Sequence, residues 1–381
     1  MTRAGILSIH PAPYRDPTFD TIRARGKLDI EVLMMSSEDV GHTEWGLPPP
    51  AYPVLPLSKG KFSSKSCRLQ PRVLPLLKRG RYDVLLVPGY TRQTALAAIA
   101  YAKATNTPFI LEADSVHYPH GVTRRSRAAD KLVAGILHLA SAIRVPGAAS
   151  RDYMRSYKIP DTRIFEGAYC MDVPGFVRDI EAARSRGARE DWRRKHGIGD
   201  GSFVFLHVGN MLASRKHCHA ISAVERLPPQ KDVCFVLIGS GEERARLEAQ
   251  AAKLPAGRVR ILGPVPFSDL SIAYVASDAY LHPGCEPYST AMELAAISGI
   301  PVVSTRSVGY VNDLVVRDAR PMLSEIDDVI ALAANMFLIA SDRDLASDLG
   351  ARHARAARQR TPQWAAEQLE LAVSTALGRQ I

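Results

Sequence analysis

The 381-residue chain is 46% hydrophobic and 23% charged, a soluble globular composition, and its length suits two domains that each bury a core. No apolar run approaches the ~20 residues that cross a bilayer, and residues 1–17 lack the apolar length and cleavage site of a signal peptide. The five cysteines are scattered without a C-x-x-C pair, which fits unpaired thiols in a reducing compartment.

The net charge of +10 is one-sided. Residues 1–190 hold 28 Lys and Arg against 18 Asp and Glu, and the remaining 191 hold 21 of each. Such a field predicts an anionic partner for the N-terminal half: a phospholipid surface, a lipid-linked phosphate, an acidic sugar or nucleic acid. Nucleic acid ranks last, because neither aromatic interleaving nor a binding motif accompanies the charge.

In chain order, apolar runs at Ala4–His10, Ile30–Met35, Asp83–Pro88 and Pro108–Glu112 predict strands. Spacing predicts helices over Thr94–Thr105 and Arg127–Leu139, followed by a strand at Ser141–Val145. Residues 38–56, rich in Pro and Gly, read as a long excursion. Lys59–Arg81 mixes basic residues with Phe62, Leu69, Val73, Leu74, Leu76 and Leu77. It is either a core-packed helix with a basic outer face or an amphipathic surface for an anionic membrane. Arg124, Arg125 and Arg127 add to the same field.

Residues 173–200 are heavily charged, carry no strand signal and end in Gly-Asp-Gly, so they read as a linker. The alternation then restarts. Strands are predicted at Phe203–Val208, Cys234–Ile238, Val259–Leu262 and Ala279–Leu281, with helices at His219–Leu227, Glu242–Lys253 and Ser268–Ala276. Residues 327–378 read as almost wholly helical. The expected domains are 1–172 and 201–362, with a last helix, 363–381, able to pack back on the first. Strands alternating with helices predict two parallel, doubly wound sheets.

Leu281–Thr305 reads as a strand end, a Pro283-Gly284 turn, Glu286, a helix from Ser289 to Ile297, then a strand at Ile300–Ser304. Gly299 suits the helix C-terminus. The loop of such a crossover lies at the carboxyl end of the sheet, where α/β proteins bind ligands, and a helix start offers free N–H groups to a phosphate. By itself this is an ordinary crossover.

Its neighbours add a resemblance. The runs FLHVGNMLASRKHCHAISAVERL, VLIGSGEERARLEAQA and RVRILGPVPFSDLSIAYVASDAYLHPGCEPYSTAMELAAISGIPVVST resemble the nucleotide-sugar domain of the family-4 retaining glycosyltransferases. DTRIFEGAYCMD, ending at Asp172, resembles that family's passage into its second domain. HPAPYRDPTF looks like bacterial members that build polysaccharides or envelope glycans. The resemblance implies an α/β GT-B fold: two doubly wound Rossmann-like domains facing across a cleft, acceptor on the first and donor on the second, with C-terminal helices.

It also implies roles. Glu286 matches the glutamate that binds donor-sugar hydroxyls, and an acceptor-only carboxylate suits hydroxyl donors. The second family glutamate falls on Leu294, with Glu293 one residue early, about 100° round the helix. Tyr288, Ser289 and Thr290 open the helix and could hold the β-phosphate. Where the family has an Arg after the strand's Gly209, this chain has Asn210, so Arg215 and Lys216 are the expected diphosphate cations. Gly239 opens a glycine turn, and Val265 sits where the family's backbone meets the nucleobase. On the acceptor side Glu112, Asp114 and His117 are candidates to orient or deprotonate a hydroxyl. Arg15, in the loop His10-Pro-Ala-Pro-Tyr-Arg15, could meet an acceptor phosphate or the donor diphosphate. His207, His217, His219 and Cys218 fit no common zinc spacing, so no metal is expected.

The expected function is transfer of a hexosyl-type sugar, with retention, from a nucleotide-diphosphate sugar to a glycan or lipid-linked, anionic acceptor. No cofactor is expected, and the expected location is the cytoplasm or the inner face of the membrane. Two alternatives stay open: a degenerate GT-B scaffold that binds nucleotide without transfer, and a nucleotide-sugar epimerase.

Overall fold

The computed structural model describes residues 1–35, 50–57, 69–118 and 126–381. They form two compact units: residues 1–172 with 360–381, and residues 173–359.

In the first unit the order is β1 (Thr2–Ser8), α1 (Asp16–Arg25), β2 (Leu28–Met34), β3 (Val54–Pro56), α2 (Val73–Gly80), β4 (Val84–Pro88) and α3 (Gln93–Ala104). There follow β5 (Phe109–Glu112), α4 (Arg127–Leu139), β6 (Ala142–Arg144), α5 (Ala148–Ser156) and β7 (Ile164–Phe165). The strands form one parallel sheet, β3-β2-β1-β4-β5-β6-β7. Ile6, Val84 and Ile110 sit in the cluster on one face, and Leu7, Leu85 and Leu111 in the cluster on the other. Burial on both faces is why these strands read as unbroken apolar runs. Helix ends follow local chemistry: Ser126 Oγ accepts from Ala129 N–H to start α4, and Gly26, at φ 66°, ends α1.

In the second unit α6 (Val173–Ser185) and α7 (Ala188–Lys195) precede β8 (Phe203–Val208), α8 (His217–Arg226), β9 (Val233–Ile238), α9 (Arg244–Ala251) and β10 (Val259–Leu262). After these come α10 (Leu270–Val275), β11 (Ala279–His282), α11 (Thr290–Ser298), β12 (Val302–Thr305), α12 (Tyr310–Val315), β13 (Met322–Ser324), α13 (Val329–Ser341) and α14 (Arg343–Ala357). Its parallel sheet runs β10-β9-β8-β11-β12-β13. The chain then enters α15 (Pro362–Leu377) of the first unit, where Leu369 and Val373 pack beneath β1 and β4.

The expected linker is two helices. Val173, Phe176, Ile180 and Ala183 make an apolar stripe on α6, and Phe176 meets Tyr274 edge-on at 5.8 Å. Arg193 of α7 is fully buried and pairs with Asp278 at 2.7 Å. Residues 173–200 thus belong to the second unit. The predicted helix Ser268–Ala276 is a 3₁₀ turn, Phe267–Asp269, followed by α10, and α8 starts two residues before its predicted start.

The excursion is described only from residue 50, where it holds β3; its earlier part lies outside the described residues. So do residues 59–68 of the basic stretch, Phe62 among them, and Arg124 and Arg125. In its described part α2 buries Val73, Leu76 and Leu77, while Leu74 is exposed. Among the described residues, no helix is long and apolar enough to cross a membrane.

Candidate active site: two strand-end clusters

In the second sheet the strand order reverses between β8 and β11, and ligands of open α/β sheets bind beyond the carboxyl ends at such a point. The loops there press tightly together. A Cβ on Gly284 would lie 2.3 Å from the Arg215 carbonyl carbon, and one on Gly239, at φ 141°, 2.1 Å from the Gly209 oxygen. Only glycine permits either approach. Cys285 N–H donates to the Ser214 carbonyl at 3.1 Å, and Met211 N–H to that of Ser240 at 2.7 Å.

This packing sets Arg215 against Glu286. The guanidinium is bidentate: Nη2 lies 2.5 Å from Oε1 and Nη1 2.5 Å from Oε2. His282 Nε2 donates to Oε2 at 3.1 Å, and its Nδ1 accepts from Gly284 N–H at 3.4 Å, which fixes the tautomer. Burial alone would raise the Glu286 carboxyl. The His282 hydrogen bond and the Arg215 charge outweigh it and hold the group below the usual carboxylate range. Burial, countered by Glu286, lowers His282 below the ordinary imidazole value.

Other predicted donor residues behave differently. Lys216, in the left-handed region at φ 53°, pairs with Asp327 at 3.1 Å. Ser289 caps α11, its hydroxyl oxygen accepting from Met292 N–H at 3.3 Å, and Thr290 is its first residue. Tyr288 is buried edge-on against Tyr310 at 5.3 Å. Glu293 is fully buried. Asn210 is exposed beside Gly209, and Val265 is half-buried in the loop after β10.

The His207 ring lies 4.5 Å from that of His217 and 5.0 Å from that of His282; among the described residues, no group of three or more His, Cys, Asp or Glu could hold a metal ion. His207 Nδ1 donates to the Leu281 carbonyl at 2.8 Å. Burial, with the nearby charges of His282 and Arg215, takes His217 down to about 3.

In the first sheet the order reverses between β1 and β4. Arg15 follows β1 and is buried, with Nη1 donating to Ser8 Oγ at 3.1 Å. Asp114 is exposed and accepts from the Tyr169 hydroxyl at 3.0 Å. His117 is exposed, its ring 4.9 Å from that of Tyr153. Glu112 is not available as an acceptor-side group: it is buried and paired with Arg144 Nη1 at 2.6 Å. The sequence offered no sign of that pairing, which joins residues 32 apart, nor of His282 as a partner of Glu286.

Two doubly wound parallel sheets with these strand-end clusters define the GT-B class of α/β proteins. Residues 188–357 match the family model "Glycosyl transferases group 1", and residues 22–165 match "Glycosyl transferase 4-like domain". The chain belongs to this glycosyltransferase family.

Lipopolysaccharide glucosyltransferase WaaG of Escherichia coli (strain K12) is 30% identical over 129 residues. That match spans 32% of this chain and about a third, 33%, of the length of WaaG. HepE of Anabaena, solved in complex with UDP and glucose, is 17% identical with a TM-score of 0.72, over 98% of this chain and 100% of that one. Sucrose-phosphate synthase from Thermosynechococcus elongatus is 16% identical with a TM-score of 0.76, over 97% of each chain. At those identities the structural likeness speaks for the fold.

Proposed function

We propose that the chain transfers a hexosyl-type sugar from a nucleotide-diphosphate sugar to a glycan or lipid-linked acceptor, with retention. The observation that carries this reading is the Arg215–Glu286 pair at the switch point of the second sheet, next to the start of α11. Arg215 has the charge and donors for a diphosphate, and the α11 N–H groups face the same negative charge. Glu286 retains lone pairs for sugar hydroxyls beyond the three hydrogen bonds it already accepts. Gly239 and Val265 border the region for the nucleobase, and Asp114 and His117 serve the acceptor.

Two relatives support the chemistry. HepE is solved with UDP and glucose, and WaaG is a lipopolysaccharide glucosyltransferase. An envelope glycan therefore suits as acceptor. The basic N-terminal half favours an anionic acceptor and contact with an anionic membrane face. Arg215 and the helix start supply the counter-charge for the leaving diphosphate, so the reading needs no metal, and turnover should survive EDTA. Glu286→Ala should lower transfer by roughly two orders of magnitude or more, measured on the fraction that remains folded. Near-normal turnover would sink the assignment.

A second reading, nucleotide binding without transfer, draws support from three positions: Lys216 is engaged by Asp327, Glu293 is buried, and Asn210 supplies no charge. Calorimetry with a panel of sugar nucleotides, followed by product detection, separates the two. An epimerase would form product from the donor with no acceptor present.

A further inference from the structure

Arg15 is a buried charge with no carboxylate within ion-pair distance among the described residues. It is 6% exposed, and its buried Nε has no hydrogen-bond partner among the described residues. Its side-chain partners are neutral hydroxyls, Ser8 Oγ at 3.1 Å and the Tyr14 phenol. The rings of Tyr14 and Tyr169 lie 5.4 and 5.9 Å from the guanidinium carbon. Those rings are themselves only 4.8 Å apart, so both cover the same side of it.

The nearest carboxylates are engaged elsewhere. Glu112 holds Arg144 at 2.6 Å, Asp16 accepts from the Tyr52 hydroxyl at 2.8 Å, and Asp114 accepts from Tyr169 at 3.0 Å. Among the described residues, none comes within ion-pair distance of Arg15. Burying a guanidinium whose direct contacts are neutral is costly; the charges of Glu112 and Asp16, acting from beyond ion-pair distance, offset that cost, and an arriving anion would add to them at contact. Its position gives that cost a purpose. Arg15 stands at the carboxyl end of β1, at the β1/β4 reversal where open α/β sheets take their ligands. Arg92, in the loop after β4, and Arg15 both act electrostatically on His10 between those loops. His10, Tyr14, Arg92 and Tyr169 are half-buried, so solvent reaches this rim.

We propose that this rim is an oxyanion subsite, in which Arg15 donates to a phosphoryl or carboxylate group. As the acceptor's own anionic group is the source we favour, the inference rests on the glycosyl-transfer reading for its purpose. Its physical content, oxyanion binding by the first unit, stands apart from that reading.

The test is calorimetry on the full chain with inorganic phosphate and with glucuronate, each with and without saturating UDP, and with UDP by itself. The wild type should bind phosphate or glucuronate, and Arg15→Gln should weaken that binding roughly tenfold or more, the worth of a charged hydrogen bond. Unchanged UDP affinity in the variant assigns the subsite to the acceptor. A parallel loss of UDP affinity keeps the subsite and assigns it to the donor diphosphate. If Arg15→Gln does not fold, Arg15→Lys keeps the charge but loses the fork, and should weaken oxyanion binding severalfold. A wild type that binds neither phosphate nor glucuronate overturns the subsite, as do variants whose affinities stay within twofold. A chain that binds oxyanions through Arg15 yet no sugar nucleotide would instead overturn the proposed function.

Discussion

Arg215 and Glu286, 71 residues apart, meet as a bidentate ion pair because Gly284 lets one loop lie directly on the other. Each partner is about four-fifths buried, at 18% and 20% side-chain exposure. Removing one therefore leaves a poorly solvated charge, which costs about 3–5 kcal/mol, while replacing both with apolar residues costs much less. Arg215→Met and Glu286→Leu, measured singly and together by urea unfolding, should be strongly non-additive. Additive losses would show that the contact carries no coupling energy.

His282 has a separate role. Its hydrogen bond helps to hold Glu286 ionised, so His282→Leu should raise the carboxyl and shift the acid limb of the pH–rate profile upward. His282→Gln, which can still donate, should restore most of the wild-type profile. An acid limb that stays put in both variants would remove the imidazole from the mechanism.

Gly284→Ala places a methyl against Arg215 backbone atoms 2.3 and 2.4 Å away. The loops must part, at about 1–3 kcal/mol by the usual cost of overpacking, and Arg215 moves with them. Nucleotide affinity should fall more than thermal stability does. Titration of both proteins with UDP, beside melting curves, checks the order of the two effects.

Asp278 is a hub on the second sheet. It accepts from Arg189 and Arg193 at 2.7 Å, from Arg343 at 3.2 Å and from Val204 N–H at 2.8 Å. Asp278→Ala strands buried Arg193 and should cost about 3–5 kcal/mol in denaturant unfolding. Loss of less than about 1 kcal/mol would mean that solvent already serves these arginines.

Stability should also fall with acid. Burial holds His217 at about 3 and His353 at about 4, against an ordinary 6.5. The unfolded chain therefore binds more protons than the fold between those values. Each group's contribution is complete above pH 6.5 and drains as pH falls, down to about 4 for His353 and about 3 for His217, at about 1.4 kcal/mol per pH unit. Replacing His353 with Leu should flatten the slope, read from urea midpoints at several pH values.

Much of this was written plainly in the sequence. Phe203–Val208 coincides with its predicted strand because a strand buried on both faces reads as an apolar run with sharp ends; Val259–Leu262, half-buried at the sheet edge and interrupted by Arg260, also coincides. Glu286 and Arg215 were singled out by the resemblance of their stretches to the family's donor domain, and the structure adds that the two are paired. The helices of 173–195 were not legible, since their narrow apolar stripe is diluted by charges that serve Asp278, a contact across more than eighty residues. Pairings between residues distant in sequence, Arg144 with Glu112 and Lys216 with Asp327 among them, decide which charged candidates remain available. Spacing along a chain carries no sign of them.

Helix α15 has a consequence for biosynthesis. The second unit is complete once residue 359 has been translated, whereas the first lacks Leu369 and Val373 until the whole second unit has been made. Until then Ala4, Ile6, Val84 and Leu86 lack the cover that α15 gives that face, and share their cluster there with Phe19 and Ile22 of α1. The half made first is thus the half that matures last, and a nascent chain stalled before residue 360 would present a sticky apolar sheet to chaperones rather than a finished domain.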